Sequence, residues 1–221
     1  VAGSPLSIDA REGITTMDLL HAAPSSLGFP LPGHAESIAS TPKRRILIEI
    51  EGAADHAARE VLLDRALGPH RRRKSSEKLR RGRLPAEGLS FVARDADGRL
   101  TGTVRLWSVT TGGLHPLPAL LLGPLAVEPD LKGTGIGSAL MRHAIAEAAR
   151  LGHGAILLMG DQPYYARFGF SAAHTGKLAM PGPYEPHRFL ALELVSGYLG
   201  RAAGVLRPTG RPARRDERHA A

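Results

Sequence analysis

Seven residues carry the clearest chemical signal in the chain: Lys132-Gly133-Thr134-Gly135-Ile136-Gly137-Ser138. They lie between an apolar run ending at Val127 and an apolar-periodic stretch beginning at Ile136. Glycines at alternate positions let a backbone turn tightly and bring its N–H groups up to a ligand with no Cβ in the way. A helix that starts inside the loop adds its unpaired N–H groups and the positive end of its dipole. The combination suits a diphosphate or a similar anion, so the loop reads as a seat for a phosphate-bearing cofactor. A purely structural turn is the competing reading.

Two familiar phosphate loops do not fit. The dinucleotide fingerprint asks for G-x-G-x-x-G and an acidic residue about 20 positions on. Here Gly135 and Gly137 are followed by Leu140 where the third glycine belongs. Asp161 stands at a suitable distance, but the loop follows a hairpin sheet and not the first strand of a βαβ unit. The P-loop fails because no Gly-Lys-Ser/Thr closes the segment.

The elements that must position the loop are legible on both sides of it. Residues 45–50 have the β-branched content of a strand. Asp55 precedes an amphipathic helix pattern, Ala58, Val61, Leu62, Ala66 and Leu67, which stops at Gly68-Pro69. A basic helix follows, and then residues 89–93 and 100–110 form a hairpin around Asp95-Ala96-Asp97-Gly98. Residues 119–127 read as a buried strand. Beyond the loop, Ile136, Leu140, Ala144, Ala148 and Leu151 make one helical stripe, with Met141 and Ile145 beside it and Gly152 as the stop. Residues 155–159 form another buried strand, 163–168 a short helix closed by Gly169, and 188–194 a last strand. Hairpin strands followed by strand–helix–strand make an α/β fold with a mixed sheet. The expected domain spans residues 44–206; residues 1–43 are expected to be a flexible extension with one short helix near 16–22, and residues 207–221 a disordered basic tail.

Composition narrows the function classes. A chain of 221 residues supports one sizeable core. It has no cysteine, which removes disulfides, thiolate metal sites and a cysteine nucleophile. The longest apolar run, Leu117 to Val127, is broken by two prolines and is far shorter than the ~20 residues of a membrane span. No basic region followed by an apolar core marks a secretory signal at the N-terminus, so a cytoplasmic location is expected. The net charge of +8 is concentrated between Arg71 and Arg83 and again between Arg207 and Arg218. Such runs are solvated faces or sites for acidic partners. A nucleic-acid partner is disfavoured, because no aromatic residues interleave the basic ones.

Residues Val127 to Leu140 resemble the acyl-CoA loop of the GNAT N-acetyltransferases, whose pattern is Gln/Arg-x-x-Gly-x-Gly/Ala. Lys132 stands at the Gln/Arg position, keeping the charge without the planar fork, and Gly135 and Gly137 match. A second block, Gly160 to Phe170, resembles the family's Tyr-x-x-x-Gly-Phe segment at the expected separation. The resemblance covers residues 46–194. It implies a GNAT-like acyltransferase fold: a mixed, mostly antiparallel central sheet with flanking helices and a V-shaped splay between the strands at Val127 and Ala155.

The resemblance further implies acetyl-CoA as co-substrate, no metal, and transfer of the acetyl group to a primary amine by direct attack. Backbone groups of Leu125, Ala126 and Val127 would pair with the pantetheine arm. N–H groups of Lys132, Gly133, Thr134, Gly135, Ile136, Gly137 and Ser138 would hold the pyrophosphate. Tyr165 matches the family tyrosine that gives a proton to the departing thiolate; packing in the core is its bland alternative, and Tyr164 is its substitute. The strand before the loop, Leu120 to Leu125, lacks the glutamate base of many members, leaving Glu128, Asp161, His115 or a water-mediated route. Trp107 reads as core, and the Arg71–Arg83 segment falls where the family builds its acceptor side, favouring an acidic or phosphorylated acceptor. An acyl-CoA-binding regulatory protein with little turnover is the alternative function, and a homodimer through the last strands is an arrangement such folds use.

Overall fold

The computed structural model describes residues 46–214. The expected extension 1–43, its short helix and the end of the tail from 215 lie outside the described residues. Along the chain come β1 (Leu47–Ile50), α1 (His56–Leu67), β2 (Ser90–Arg94), β3 (Leu100–Gly112), β4 (Pro118–Val127), α2 (Ile136–Arg150), β5 (Ala155–Met159), α3 (Gln162–Tyr165), β6 (Leu178–Ala179), β7 (Phe189–Glu193) and β8 (Ala203–Pro208). The sheet runs β1-β2-β3-β4-β5-β7, with β8 against β3 and β6 against β8. Every neighbouring pair is antiparallel except β4–β5 and β6–β8. This is the mixed, mostly antiparallel sheet with flanking helices that the motifs imply.

Alternation along the strands divides the sheet into two faces. Phe91, Val104, Leu106, Leu120, Leu122, Ile156 and Leu158 pack with Ile136, Leu140, Met141, Ala144 and Ala148 of α2. The intervening Trp107, Val109, Ala119, Leu121, Ala155 and Leu157 form a second core with Phe189 and Leu199. On that same face Val92 and Ala126 meet Leu62 and Leu63 of α1.

One irregularity interrupts the alternation. Val104 pairs with Leu125 and Leu106 with Leu122, so β4 holds one residue more than β3 across this step. The extra residue falls at Gly123-Pro124, where proline has no N–H for the ladder. Trp107 Nε1 donates to the Gly123 carbonyl at 2.6 Å and ties the bulge to β3. Before the bulge Leu120 and Leu122 face α2; after it Leu125 and Val127 do. A one-residue insertion thereby exchanges the two faces of the strand.

Just before the bulge, β4 and β5 part. Their pairing consists of Leu120↔Ile156 and Leu121↔Leu157. Beyond it β4 continues to Val127 beside β3 alone, while Leu158 and Met159 of β5 stay with Leu190 and Phe189 of β7. The result is the V-shaped splay.

Some expectations change. Val61, placed on the apolar stripe of α1, is 51% exposed, and Arg59 points inward beside Leu62 and Leu63 instead. Leu151 lies at the frayed end of α2 and is exposed. The basic segment is two short 3-10 turns, Pro69–Arg73 and Ser75–Leu79, broken by extended Lys74. It has one large apolar side chain to bury, Leu79, and so no stripe on which a regular helix could pack. The boundary expected at 206 falls inside β8: Arg207 and Pro208 pair with Thr110 and Val109, and Pro212 bridges Arg83.

Gly102 seats the start of α2. It lies beside Val127 in register, and a Cβ there would stand 2.9 Å from both Ile136 Cγ2 and Leu140 Cδ1. Gly102→Val should therefore cost about 1–3 kcal/mol by overpacking. Thermal denaturation checks this, and an unchanged Tm would show that α2 is not pressed onto β3 there.

Candidate functional site

The glycine loop is built by backbone conformation. Gly133 and Gly135 have φ of 83° and 92°, in the left-handed region that favours glycine, and Gly135 is the N-cap of α2. The first helical hydrogen bond runs from Ala139 N–H to the Gly135 carbonyl at 2.9 Å. The N–H groups of Ile136, Gly137 and Ser138 precede every intrahelical acceptor. Nothing lies within 4 Å of a Cβ built on Gly133 or Gly135, so the backbone is open to a ligand on that side. Lys132 is exposed, and the Thr134 hydroxyl is committed to the Leu131 carbonyl at 2.7 Å.

Leu125, Ala126 and Val127 lead into this loop. Their inner edge pairs with Val104, Thr103 and Gly102 of β3, and no strand among the described residues pairs with their other edge. Leu125 and Val127 are half-buried, whereas Ala126 is buried against α1.

Tyr165 stands across the splay. Its ring occupies the space beside Gly160, where a Cβ would come within 2.0 Å of Tyr165 Cε2. It packs edge-on against Tyr164, at 4.9 Å between centroids, and against Phe170 at 6.1 Å. Burial, aided by Tyr164 and Asp161 and opposed by Arg188, pushes its phenol up to about 12. Tyr164 points elsewhere: its hydroxyl lies 3.0 Å from the Cβ position of Gly137, in the first turn of α2.

Tyr165 and Leu125 both line a cleft of about 1170 Å³. Its floor includes Arg105, Trp107 and Leu121, so it opens on the face of the sheet away from α2. The bulge residues Gly123 and Pro124 and the end of β5 at Met159 and Gly160 border the splay, while α1 and the two basic turns supply a wall. Trp107 is thus core, as expected, with an edge in the cleft. Lys132 to Ser138 do not line the cleft; they lie with α2 on the other side, and the splay separates the two regions.

The three candidate bases are scattered. Asp161 lines the cleft but is ion-paired to Arg188 at 3.1 Å. Glu128 is buried away from it, with Arg65 at 3.4 Å and Arg99 at 3.8 Å. His115 borders a separate small hollow with Tyr198 and Arg201. Glu60, unremarked in the sequence, lines the cleft as well. Burial alone would raise its pKa, but hydrogen bonds from Arg71 and Arg59 bring it down to about 2.

Beneath the cleft lies a buried ion network that sequence reasoning missed. Arg59 has no exposed side-chain surface and pairs with Glu51 and Glu60; Arg105 Nε donates to Glu51 Oε2 at 2.6 Å. Burial pushes the Glu51 carboxyl up to about 7 against the pull of Arg59. The available signal was spacing: Arg59 lies three and four residues before Leu62 and Leu63, on the face of α1 that turns inward.

Comparison with known proteins agrees with this geometry. A family profile described as an acetyltransferase (GNAT) domain matches residues 86–172. The chain is 29% identical over 160 residues to the uncharacterised N-acetyltransferase YhbS of Escherichia coli strain K12, covering 70% of this chain and 93% of that one. It is 33% identical over 97 residues to the uncharacterised N-acetyltransferase YjhQ of the same strain, covering 43% of this chain and 52% of that one. The crystal structure of the E. coli YhbS protein in complex with CoA superposes with a TM-score of 0.65 at 28% identity, covering 75% of this chain and 91% of that one.

Gly160→Ala should push the Tyr165 ring out of its buried seat and return its ionisation toward the ordinary value of about 10. Tyrosinate absorbance followed to about pH 11 should then show one more ionised tyrosine than the wild type, with Tyr165→Phe in the same background assigning it. An identical titration in the two proteins would show that Gly160 does not hold Tyr165 in place.

Proposed function

Because the chain belongs to the GNAT N-acetyltransferases, we propose that it transfers the acetyl group of acetyl-CoA to a primary amine by direct nucleophilic attack. The observation that carries this reading is the edge of Leu125 to Val127 that has no strand partner among the described residues, which ends in an open left-handed glycine loop and shares the splay with Tyr165. The CoA-bound state of the YhbS structure supports the choice of co-substrate.

Each residue then has a task. The N–H groups of Gly133, Gly135, Ile136, Gly137 and Ser138 hold the pyrophosphate, aided by the positive end of α2, while those of Lys132 and Thr134 donate within the turn to the Pro129 and Leu131 carbonyls at 3.4 and 3.3 Å. Leu125 to Val127 pair through their backbone with the pantetheine arm as an added strand would. The N–H of Val127 polarises the thioester carbonyl as negative charge develops on its oxygen. Tyr165 donates its hydroxyl proton to the thiolate that leaves. A phenol held up to about 12 stays protonated throughout the physiological range, as a proton donor must.

The amine must lose a proton. Glu60 is held down to about 2 and so is a weak base, and Asp161 is committed to Arg188 at 3.1 Å. That proton leaves to water in the open cleft, and water returns a proton to the Tyr165 phenolate after CoA thiol has formed. The lack of a carboxylate on β4 also favours a second reading, an acyl-CoA-binding regulatory protein with little turnover.

Release of free CoA thiol over a panel of amines separates the two, since the regulatory protein would bind acetyl-CoA and release none. With an accepted amine, Tyr165→Phe should lower kcat by about 10²-fold or more and leave acetyl-CoA affinity nearly unchanged. The wild-type rate should show no alkaline loss from Tyr165 between about pH 7 and about pH 10, because its proton is retained until higher pH. A full kcat in Tyr165→Phe would remove the residue from the mechanism.

A further inference from the structure

The cleft carries more positive charge than its own carboxylates neutralise. Seven cationic and four acidic side chains line it. Three of the cations are engaged with carboxylates of the protein: Arg105 with Glu51, and Arg71 and Arg72 with Glu60. Arg80 and Arg188 are not fully engaged.

Arg80 is the more telling of the two. Its side chain is 10% exposed, yet it lines the cleft. One terminal nitrogen, Nη2, reaches Ser76 Oγ at 3.2 Å and Glu77 Oε2 at 3.2 Å. Nε is buried with no acceptor among the described residues, and Nη1 lies 3.9 Å from the Cβ position of Gly123 at the β4 bulge. Burial, with Arg71 nearby, pulls the guanidinium below its usual pKa against the opposing pull of Glu77. A guanidinium has five N–H donors in a planar fork suited to carboxylate or phosphate. Here one edge of the fork is used and the rest is not.

Arg188 occupies the corresponding place on the β5 side. Its carbonyl accepts from Gly160 N–H at 2.9 Å, and its Nη2 lies 3.1 Å from Asp161 Oδ1, with Glu185 at 4.0 Å from Nη1. Its Nε is also buried without an acceptor among the described residues. It is close enough to Tyr165 to oppose the rise in that phenol's pKa. The two incompletely paired guanidiniums therefore flank the splay, one by the strand on each side.

We propose that the acetyl acceptor is a small amine bearing a carboxylate or phosphate group, and that Arg80 and Arg188 bind that group and turn the amine toward the splay. This deepens the acetyltransferase reading and rests on it. The depth of Arg80 argues for a small acceptor, because a group must enter the cleft to reach it, whereas a macromolecular surface would meet the outer Arg72 and Arg81. The pyrophosphate of the co-substrate is not the anion concerned, since the glycine loop lies with α2 and lines no part of this cleft.

The test uses the full chain, saturating acetyl-CoA and matched amines: ethanolamine with phosphoethanolamine, and β-alaninamide with β-alanine. Acetyl-CoA affinity is measured first by calorimetry; its absence would sink the acetyltransferase reading itself, separately from the acceptor proposal. An anionic member should be preferred in kcat/KM by about 10- to 100-fold, and whichever pair shows it separates phosphate from carboxylate. Arg80→Met should erase the preference through acceptor KM with acetyl-CoA affinity unchanged, and Arg80→Lys should restore part of it. Equal use of neutral and anionic partners, or a preference that survives in both Arg80→Met and Arg188→Met, would overturn the proposal. If no panel amine is acetylated, titration of inorganic phosphate into the CoA complex decides. Binding that Arg80→Met abolishes supports the anion site, and no binding overturns it.

Discussion

The hydrogen bond from Trp107 to the Gly123 carbonyl holds the irregularity on which the site depends. A regular β4 would keep one face toward α2 along its whole length. The bulge reverses that alternation between Leu122 and Leu125. It also sits where β4 leaves β5, after only Leu120 and Leu121 have paired. Backbone polar groups at the centre of a sheet are ordinarily satisfied by a neighbouring strand. From Leu125 to Val127 the groups on the edge away from β3 have no strand partner among the described residues.

The two halves of the chemistry lie on opposite faces and meet through that opening. On the α2 side, Gly102 lets the helix press against β3, which places its first turn and the loop at the end of β4. On the α1 side, Arg105 lines the cleft, with Glu51 and Arg59 buried behind it. Buried ion pairs add little net stability, because desolvation offsets their attraction. Their contribution here is geometric: Arg105 reaches the cleft with its charge balanced, and Glu60 gathers Arg59, Arg71 and Arg72 into one wall. Arg80 and Arg188 keep donors to spare.

Much of this could be read from the sequence where a physical signal is local. Alternating glycines before an amphipathic stretch specify a turn and a helix start, and residues 133–137 adopt that structure. Apolar runs bounded by turn residues located β2, β3, β4, β5 and β7 to within two residues. Long-range features were not legible. Strand β8 is short, contains Gly204 and Pro208, and is defined by its partners on β3 rather than by its own pattern. Arg59 looks like an ordinary helix-surface charge until Glu51 and Arg105 arrive from distant segments. The sequence named Asp161, Glu128 and His115 together as possible bases, but separation in space is a property of the tertiary fold and only Asp161 reaches the cleft. The basic segment was visible as charge, while the difference between neutralised Arg71 and incompletely paired Arg80 depends on where Glu60 and Asp64 sit.

Amide hydrogen exchange with and without CoA tests the central claim most directly, because it reads the backbone groups said to hold the co-substrate. Residues 125–127 and 133–138 should both exchange more slowly in the complex, the first as a strand edge gains a partner and the second as the loop N–H groups take the pyrophosphate. Tight CoA binding with unchanged exchange in both segments would place the co-substrate elsewhere and contradict the role assigned to the splay.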